Sequence, residues 1–162
     1  MIRRVKYLVF CTMLLFVLNA CKEPAHQHSY TEEKTAKVIR ELMRSQYEAF
    51  TELDSTKFLS FYTKDSDFMH AADGQIMQGR ANLNKMIIEN YQKFKEIKYG
   101  KLDSIYVYIL GPHGAVATST FQETIIDTSG NQMTSKGVWT NVFVEESGGW
   151  EVVHGHASHL EK

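Results

Sequence analysis

The stretch IYVYILGPHGAVATSTFQETII, residues 105–126, decides the fold class of this chain. It contains two runs rich in aromatic and β-branched residues, separated by Gly-Pro-His-Gly, and such runs between turn residues favour β-strands. Two further runs downstream make a set of four: Ile105–Leu110, Ala115–Ile126, Val138–Val144 and Trp150–His156. Because short connections join antiparallel neighbours, the chain from about Lys101 onward is predicted to form a four-stranded antiparallel meander.

Upstream of these strands, apolar residues recur at the three- and four-residue steps of amphipathic helices. The spacing predicts a long helix over Thr31–Leu53, for which Ser29 and Glu32 offer a capping box. A short second helix follows the N-cap sequence that starts at Asp54, and a third helix covers Ala81–Phe94. The first half of the domain is therefore predicted to be mainly helical.

A small hairpin is predicted between the second and third helices. Phe68–Ala71 and Gln75–Met77 flank Asp73-Gly74, and Asp-Gly is a strong signal for a two-residue hairpin turn. Helices first and strands last is the order of an α+β domain. We therefore expect a curved mixed or antiparallel sheet that is wrapped by three N-terminal helices.

The first residues have the layout of an export signal. A basic stretch, Met1–Lys6, precedes an uncharged apolar run, Tyr7–Leu18, which is too short for a permanent span because a membrane helix needs roughly 20 residues. The run ends in Leu-Asn-Ala-Cys, which resembles the bacterial lipobox. We predict a signal peptide at 1–20, a lipid on Cys21 that anchors the protein to the membrane, and a tether at 21–31. The domain would then lie at the cell envelope, facing the periplasm or the surface, and not in the cytoplasm.

Composition excludes several classes of protein. The two cysteines are Cys11 in the apolar run and Cys21, so the domain at 32–162 has no cysteine for a disulfide. The net charge of −1 becomes −4 when the three basic residues of the signal peptide are removed, which argues against nucleic acid as a partner. No nucleophile motif, phosphate loop or carboxylate pair is present. We predict no cofactor.

Three stretches resemble the SnoaL-like branch of the nuclear-transport-factor-2-like superfamily. They are FYTKDSDF at 61–68, Gly79-Arg80-Ala81 at the start of the third helix, and GWEVVHGHAS at 149–158. The resemblance implies a cone-shaped fold, with ligands held between the concave face of the sheet and the helices in a largely apolar pocket. It does not fix the chemistry, because the superfamily includes isomerases, cyclases, dehydratases, epoxide hydrolases and non-enzymatic binding modules.

Ketosteroid isomerases, a related branch, imply candidate catalytic residues. His70 falls at the position of their carboxylate base on the first strand, and Tyr47 at that of their tyrosine donor on the first helix. A neutral imidazole accepts a proton at physiological pH, so His70 preserves the possibility of base chemistry. His154 is the third candidate. The alternative is that His70 and Tyr47 only form hydrogen bonds within the pocket wall.

The last strand contains several histidines. In a regular strand, His154 and His156 would lie on the same face as Val152, where they could hold a metal, relay protons or line a pocket. His159 has the opposite parity and would join them only if the strand bends. A closed metal site would need further ligands, such as Glu123, and we predict no metal.

The predicted pocket wall consists of aromatic residues from helices and sheet, with one histidine: Phe50, Phe61, Tyr62, Tyr108, Trp139 and His156. Both alternating faces of Val138–Val144 contain apolar residues, which favours a homodimer through the sheet. The expected function is binding of a small, largely apolar molecule at the envelope, without assigned catalysis. The alternative is a cofactor-independent acid–base enzyme of isomerase, cyclase or lyase type that uses pocket histidines.

Overall fold

The computed structural model describes residues 25–146 and 148–160. The chain divides into two units, residues 1–34 and 35–162. In the first unit the described residues, 25–34, are helical. The predicted signal peptide and Cys21 lie outside the described residues. Within the described part, no helix combines the length and the apolar character needed to cross a membrane.

Three helices and seven strands make up the described part of the chain. In chain order they are α1 (Ala25–Thr51), α2 (Ser55–Ser60), β1 (Met69–Ala72), β2 (Gln75–Gln78), α3 (Arg80–Tyr91), β3 (Phe94–Leu102), β4 (Tyr106–Gly111), β5 (Gly114–Asp127), β6 (Gln132–Glu146) and β7 (Gly149–His159). The second unit is an α+β domain with a curved, open sheet, so the predicted fold class is confirmed.

The strands form one mixed sheet in the order β2-β1-β7-β6-β5-β3, with β4 paired to β5 as well. Neighbours are antiparallel except for β1 and β7, which are parallel. Leu102 of β3 pairs with Phe121, and Tyr106 of β4 pairs with Thr118, so β3 and β4 follow each other along the same edge of β5.

Helix α1 begins at Ala25, before the predicted start at Thr31. The prediction of a capping box at Ser29 is therefore wrong, because Ser29 lies inside the helix. No glycine or proline follows Pro24 in this segment, so nothing in the local sequence stops the helix from beginning earlier. At the other end, Leu53 adopts a left-handed backbone with φ of 56°, which a continuing helix does not allow.

The structure confirms two local predictions. The side chain of Asp54 accepts a hydrogen bond from the amide of Lys57 at 2.8 Å and so caps α2. In the hairpin of β1 and β2, Asp73 and Gly74 both have positive φ, at 47° and 80°. Two such residues in sequence form the turn that matches the twist of a tight hairpin.

Strand β3 was not predicted. The expected third helix continued to Phe94, whereas α3 ends at Tyr91 and β3 begins at Phe94, so five strands rather than four follow the last helix. Most side chains of β3 are exposed and do not alternate cleanly between buried and exposed. Its lysines suit an exposed edge strand, but they obscure the two-residue period that identifies a half-buried strand.

The guanidinium of Arg80 joins α2 to α3. It donates hydrogen bonds to the carbonyl oxygens of Leu59 and Tyr62, each at 2.6 Å, and of Thr63 at 2.9 Å. The carbonyls at the end of a helix have no partners within the helix, so a planar cation with several donors satisfies them well. This contact fixes α2 against the start of α3.

One face of the sheet packs against the helices and is called the inner face. On β5 the inner face consists of alternate residues, and all six of them are buried: Ala115, Ala117, Ser119, Phe121, Glu123 and Ile125. The paired positions on β6 include Trp139 and Phe143, and the helices contribute Ile39, Met43, Phe58 and Leu83 to the same core. The opposite face is called the outer face, and its residues on β5 are half-buried or exposed.

Candidate ligand-binding site

A cavity of about 150 Å³ lies between the inner face and the helices. Helices α1, α2 and α3 supply one side, and strands β1, β5, β6 and β7 supply the other. Six of the thirteen lining side chains are Phe, Tyr or Trp: Tyr47, Phe50, Phe58, Tyr62, Phe121 and Trp139. Apart from hydroxyl groups, the polar side chains in the wall are His70, Glu123 and His159.

The aromatic rings contact one another around the cavity. The ring centroid of Tyr47 lies 5.7 Å from that of Phe50 and 6.4 Å from that of Trp139. Phe58 stacks on Trp139 with centroids 6.4 Å apart, and it also contacts Tyr62 at 5.4 Å. These distances are typical of favourable ring pairs, so helices and sheet together hold a preformed aromatic wall.

Glu123 is a buried carboxyl on this wall. The hydroxyl of Tyr47 donates to its Oε2 at 3.4 Å. Burial raises the pKa of Glu123 to about 7, although the charge of His159 and hydrogen bonds from Ser135 and Tyr47 act in the opposite direction. The group therefore exchanges between its protonated and ionised forms near neutral pH.

The opposite wall contains a neutral histidine. Burial lowers the pKa of His70 to about 4, and the nearby charges of His154 and His156 act in the same direction. Its Nδ1 is buried without a hydrogen-bond partner among the described residues. His70 pairs with Gly155 on β7, where a Cβ atom would lie 2.7 Å from Nδ1, so the close approach of the ring requires glycine.

Strand β7 does not place its histidines as a regular strand would. Adjacent residues of β6 pair with Val152 and His154, so Val153 is an extra residue, a β-bulge. The bulge shifts the alternation by one residue. Val152 is buried on the inner face, whereas His154 and His156 lie on the outer face, opposite outward-facing residues of β6. The prediction that both histidines share a face with Val152 is therefore wrong.

The same shift brings His159 to the rim of the cavity. Its Nδ1 lies 2.6 Å from Oδ2 of Asp73, and its backbone amide donates to Oδ1 at 2.9 Å. These two hydrogen bonds lower the pKa of Asp73. The His159 ring also meets Phe121 edge to face, with centroids 5.5 Å apart. His159 thus joins the hairpin turn to the end of β7 beside the opening of the cavity.

The structure brings together some of the predicted site residues and separates others. Five line the cavity: Tyr47, Phe50, Tyr62, His70 and Trp139. Four do not: Phe61, which packs against the core, Tyr108, His154 and His156. Tyr108 is 72% exposed because it pairs with an outward-facing residue of β5. The roles of all these residues in binding or catalysis stay predictions.

Sequence reasoning missed Phe58 and Phe121, it brought His159 to the site only if the last strand bends, and it considered Glu123 only as a metal ligand. The signal for Glu123 was present, because it is a charged residue among the apolar and small residues at the alternate positions 115–125 of β5. Among the described residues, no three side chains of His, Cys, Asp or Glu lie close enough together to hold a metal. In particular, Glu123 and the pair His154 and His156 lie on opposite faces of the sheet.

A second cavity, of about 410 Å³, lies between the hairpin and α3. It is lined by polar side chains such as Gln75 and Asn82 as well as apolar ones, and it shares His70 and Met86 with the aromatic cavity. The two cavities are therefore neighbours with a common wall.

Several solved structures have a similar fold, among them one described as a nuclear-transport-factor-2-like superfamily protein. A superfamily protein from Salmonella enterica matches with a TM-score of 0.69 and 17% identity, covering 83% of this chain and 94% of its own. A candidate scytalone dehydratase from Novosphingobium aromaticivorans matches with a TM-score of 0.73 and 12% identity, and the match covers 82% of this chain and 89% of the dehydratase. A ketosteroid isomerase-like protein from Erwinia carotovora atroseptica matches with a TM-score of 0.67 and 14% identity, and the match covers 78% of this chain and 97% of that protein. At these identities the likeness shows the fold alone.

The family can be stated more closely. Residues 39–161, well over half of the chain, match the model of the SnoaL-like domain. The chain therefore belongs to the SnoaL-like domain family. No curated protein matches it significantly.

Proposed function

We propose that this chain is an envelope lipoprotein whose cone-fold pocket binds a small, largely apolar molecule. The observation that supports binding most directly is the aromatic cavity of about 150 Å³, whose wall has few polar groups. Pockets for small molecules are mostly apolar, with a few polar groups that orient the ligand. A dry cavity of roughly 150 Å³ holds a molecule the size of benzene, so a ligand with one ring is the expected size.

A thermal-shift screen of the full chain tests this proposal. Compounds with one ring should raise the melting temperature, the more so the more tightly they bind, and compounds with three or four fused rings should not. Ala157→Leu would fill part of the cavity wall and should abolish the shift. Ala71→Leu is the matched control, because Ala71 is on the outer face, and it should leave the shift unchanged. An equal shift in both variants would rule out the cavity as the binding site.

The envelope location follows from the proposed lipid on Cys21. The apolar run and the lipobox-like sequence support it. Cys21→Ser should abolish incorporation of labelled palmitate and release the protein from the membrane fraction. Unlabelled wild-type protein in an exporting bacterial host would argue against the anchor.

A homodimer through the outer face is the proposed assembly. Exposed apolar side chains cluster on β4, where Tyr106, Tyr108 and Leu110 share one face with exposed fractions of 73%, 72% and 58%. A contiguous patch of exposed apolar side chains often marks a protein–protein interface. Sedimentation at several concentrations should show a dimer that Tyr108→Glu dissociates, whereas a wild-type monomer at all concentrations would refute the assembly.

An acid–base enzyme is the second candidate function, and one observation favours it. The same cavity contains two titratable groups with displaced pKa values, Glu123 at about 7 and His70 at about 4. Such pairs are typical of sites where one group donates and another accepts a proton. In this version Glu123 takes the catalytic place predicted for His154, which lies on the outer face. Once a ligand is found, Glu123→Gln and His70→Ala should abolish its turnover, if any, while binding persists.

A further inference from the structure

Among the residues that line the cavity, the group whose positive charge acts on the buried carboxyl of Glu123 is His159, at the rim. Among the described residues, no lysine or arginine lines the wall, and the hydrogen-bond donors to the carboxyl are the neutral side chains of Tyr47 and Ser135. The side chain is on a residue that is only 6% exposed. A buried carboxylate without a permanently charged lysine or arginine beside it is costly, so a ligand that brings a positive charge gains more here than at the surface.

The rings around the carboxyl favour the same kind of ligand. Tyr47 donates to Glu123, Phe121 is its neighbour on the inner face of β5, and Trp139 contacts Tyr47. The face of an aromatic ring attracts an ammonium group, and clusters of such rings are used to recognise amines. The carboxylate and the rings therefore both favour a ligand that combines a cationic group with an apolar body.

We propose that this cavity selects compact organic amines in their protonated form, with the ammonium group against Glu123 and the apolar body among the aromatic rings. The inference rests on the proposed function, because it names the ligand class of the same cavity. The volume of about 150 Å³ limits the ligand to about one ring with a short amine-bearing arm.

The charges around the site are consistent with this ligand. His70, on the opposite wall, has its pKa lowered to about 4 and is neutral at physiological pH. Burial, followed by the charge of Glu123, raises the pKa of Tyr47, so its hydroxyl stays protonated. The remaining titratable group that influences Glu123 is His159, at the rim, where Asp73 lies at 2.6 Å from its ring. Apart from Glu123 itself, none of the wall side chains is a carboxylate that would compete for the ammonium group.

Binding of an ammonium group has a further consequence. Near neutral pH part of the Glu123 population is protonated, because its pKa is about 7. A cation beside the carboxyl favours the ionised form, so binding should release protons to the buffer. A neutral ligand of the same shape should not release them.

Calorimetric titration of the full chain with benzylamine and benzyl alcohol tests the inference, since these probes differ mainly in charge. At pH 8, where Glu123 is mostly ionised, benzylamine should bind at least ten-fold more tightly than benzyl alcohol. At pH 7, its binding enthalpy should change with the ionisation enthalpy of the buffer. Glu123→Gln should remove both the preference and the proton release. Glu96→Gln, at an exposed glutamate, is the matched control and should keep both.

The possible outcomes separate the two proposals. Equal binding of both probes, or a preference for the alcohol, overturns the amine inference but leaves an apolar binding cavity. The amine inference also fails if Glu123→Gln keeps the preference for benzylamine. Binding of benzyl alcohol by Glu123→Gln shows that this variant is folded. If neither probe binds to the wild-type chain, the inference is overturned, and failure of the wider screen as well overturns the proposed function.

Discussion

The two faces of β6 have similar side chains in the sequence but differ in the structure. On the inner face, Trp139 and Phe143 are 8% and 1% exposed. On the outer face, Val138 is 36% exposed, and Val142 is half-buried. The difference arises because the helices pack against the inner face and share its core. Apolar character along a strand therefore identifies it as a strand, but the face that encloses a ligand is set by the elements packed on it.

The largest test of this comparison uses adjacent residues on opposite faces. Phe143→Ala should lower the free energy of unfolding by about 3–5 kcal/mol, because it leaves a cavity in a packed core. Val142→Ala, on the half-buried outer face, should cost about 1 kcal/mol or less. Urea unfolding monitored by circular dichroism measures both. Similar losses of unfolding free energy in the two variants would contradict the difference in burial. If the two losses are similar at high protein concentration but differ on dilution, a second copy of the chain covers the outer face.

The second test concerns the two titratable groups of the inner face. The raised pKa of Glu123, about 7 against an ordinary 4.5, means that the folded state holds a proton that the unfolded state loses. Its contribution is fully present below pH 4.5 and is lost as pH rises through 7. The lowered pKa of His70, about 4 against 6.5, has the opposite effect, since stability is lost as pH falls from 6.5 to 4. Each contributes a slope of about 1.4 kcal/mol per pH unit at most, so they nearly cancel between pH 4.5 and 6.5.

Single variants should separate the two slopes. In Glu123→Gln, stability should rise with pH between 4.5 and 6.5, whereas in His70→Gln it should fall over the same interval. The matched control is Glu96→Gln, at an exposed glutamate, which should retain the flat profile of the wild type. Unfolding in urea at half-unit pH steps provides the measurement. If the dependence of stability on pH is the same in all three variants, the pKa values of Glu123 and His70 are not displaced as described.

The smallest expected effect is at the rim of the cavity. Asp73 and His159 form a partly exposed pair, with side chains 52% and 43% exposed. Because solvent screens such pairs, Asp73→Asn should cost less than about 1 kcal/mol. Glu145→Gln, in the more exposed pair with His113, should cost no more than that. A loss of several kcal/mol in Asp73→Asn would mean that the hairpin depends on this contact for its position.

Local sequence patterns predicted most of the fold. The cap at Asp54, the Asp73-Gly74 turn and four of the five late strands were correct, because capping, turn geometry and strand alternation depend on neighbours in sequence. Strand β3 was missed because an exposed edge strand has no periodic apolar face. The site was predicted less well. Tyr47 and His70 reached the cavity, but Tyr108 did not, since aromatic character does not distinguish an inner face from an outer one.

The sequence by itself determined the order and type of the elements, and it marked residues 1–21 as a predicted export and lipid signal. Tertiary structure alone decided which histidines face the cavity, because the bulge at Val153 depends on how β7 pairs with β6. It also decided the chemistry of Glu123. Its pKa is displaced by burial in the folded domain, which removes the carboxyl from water.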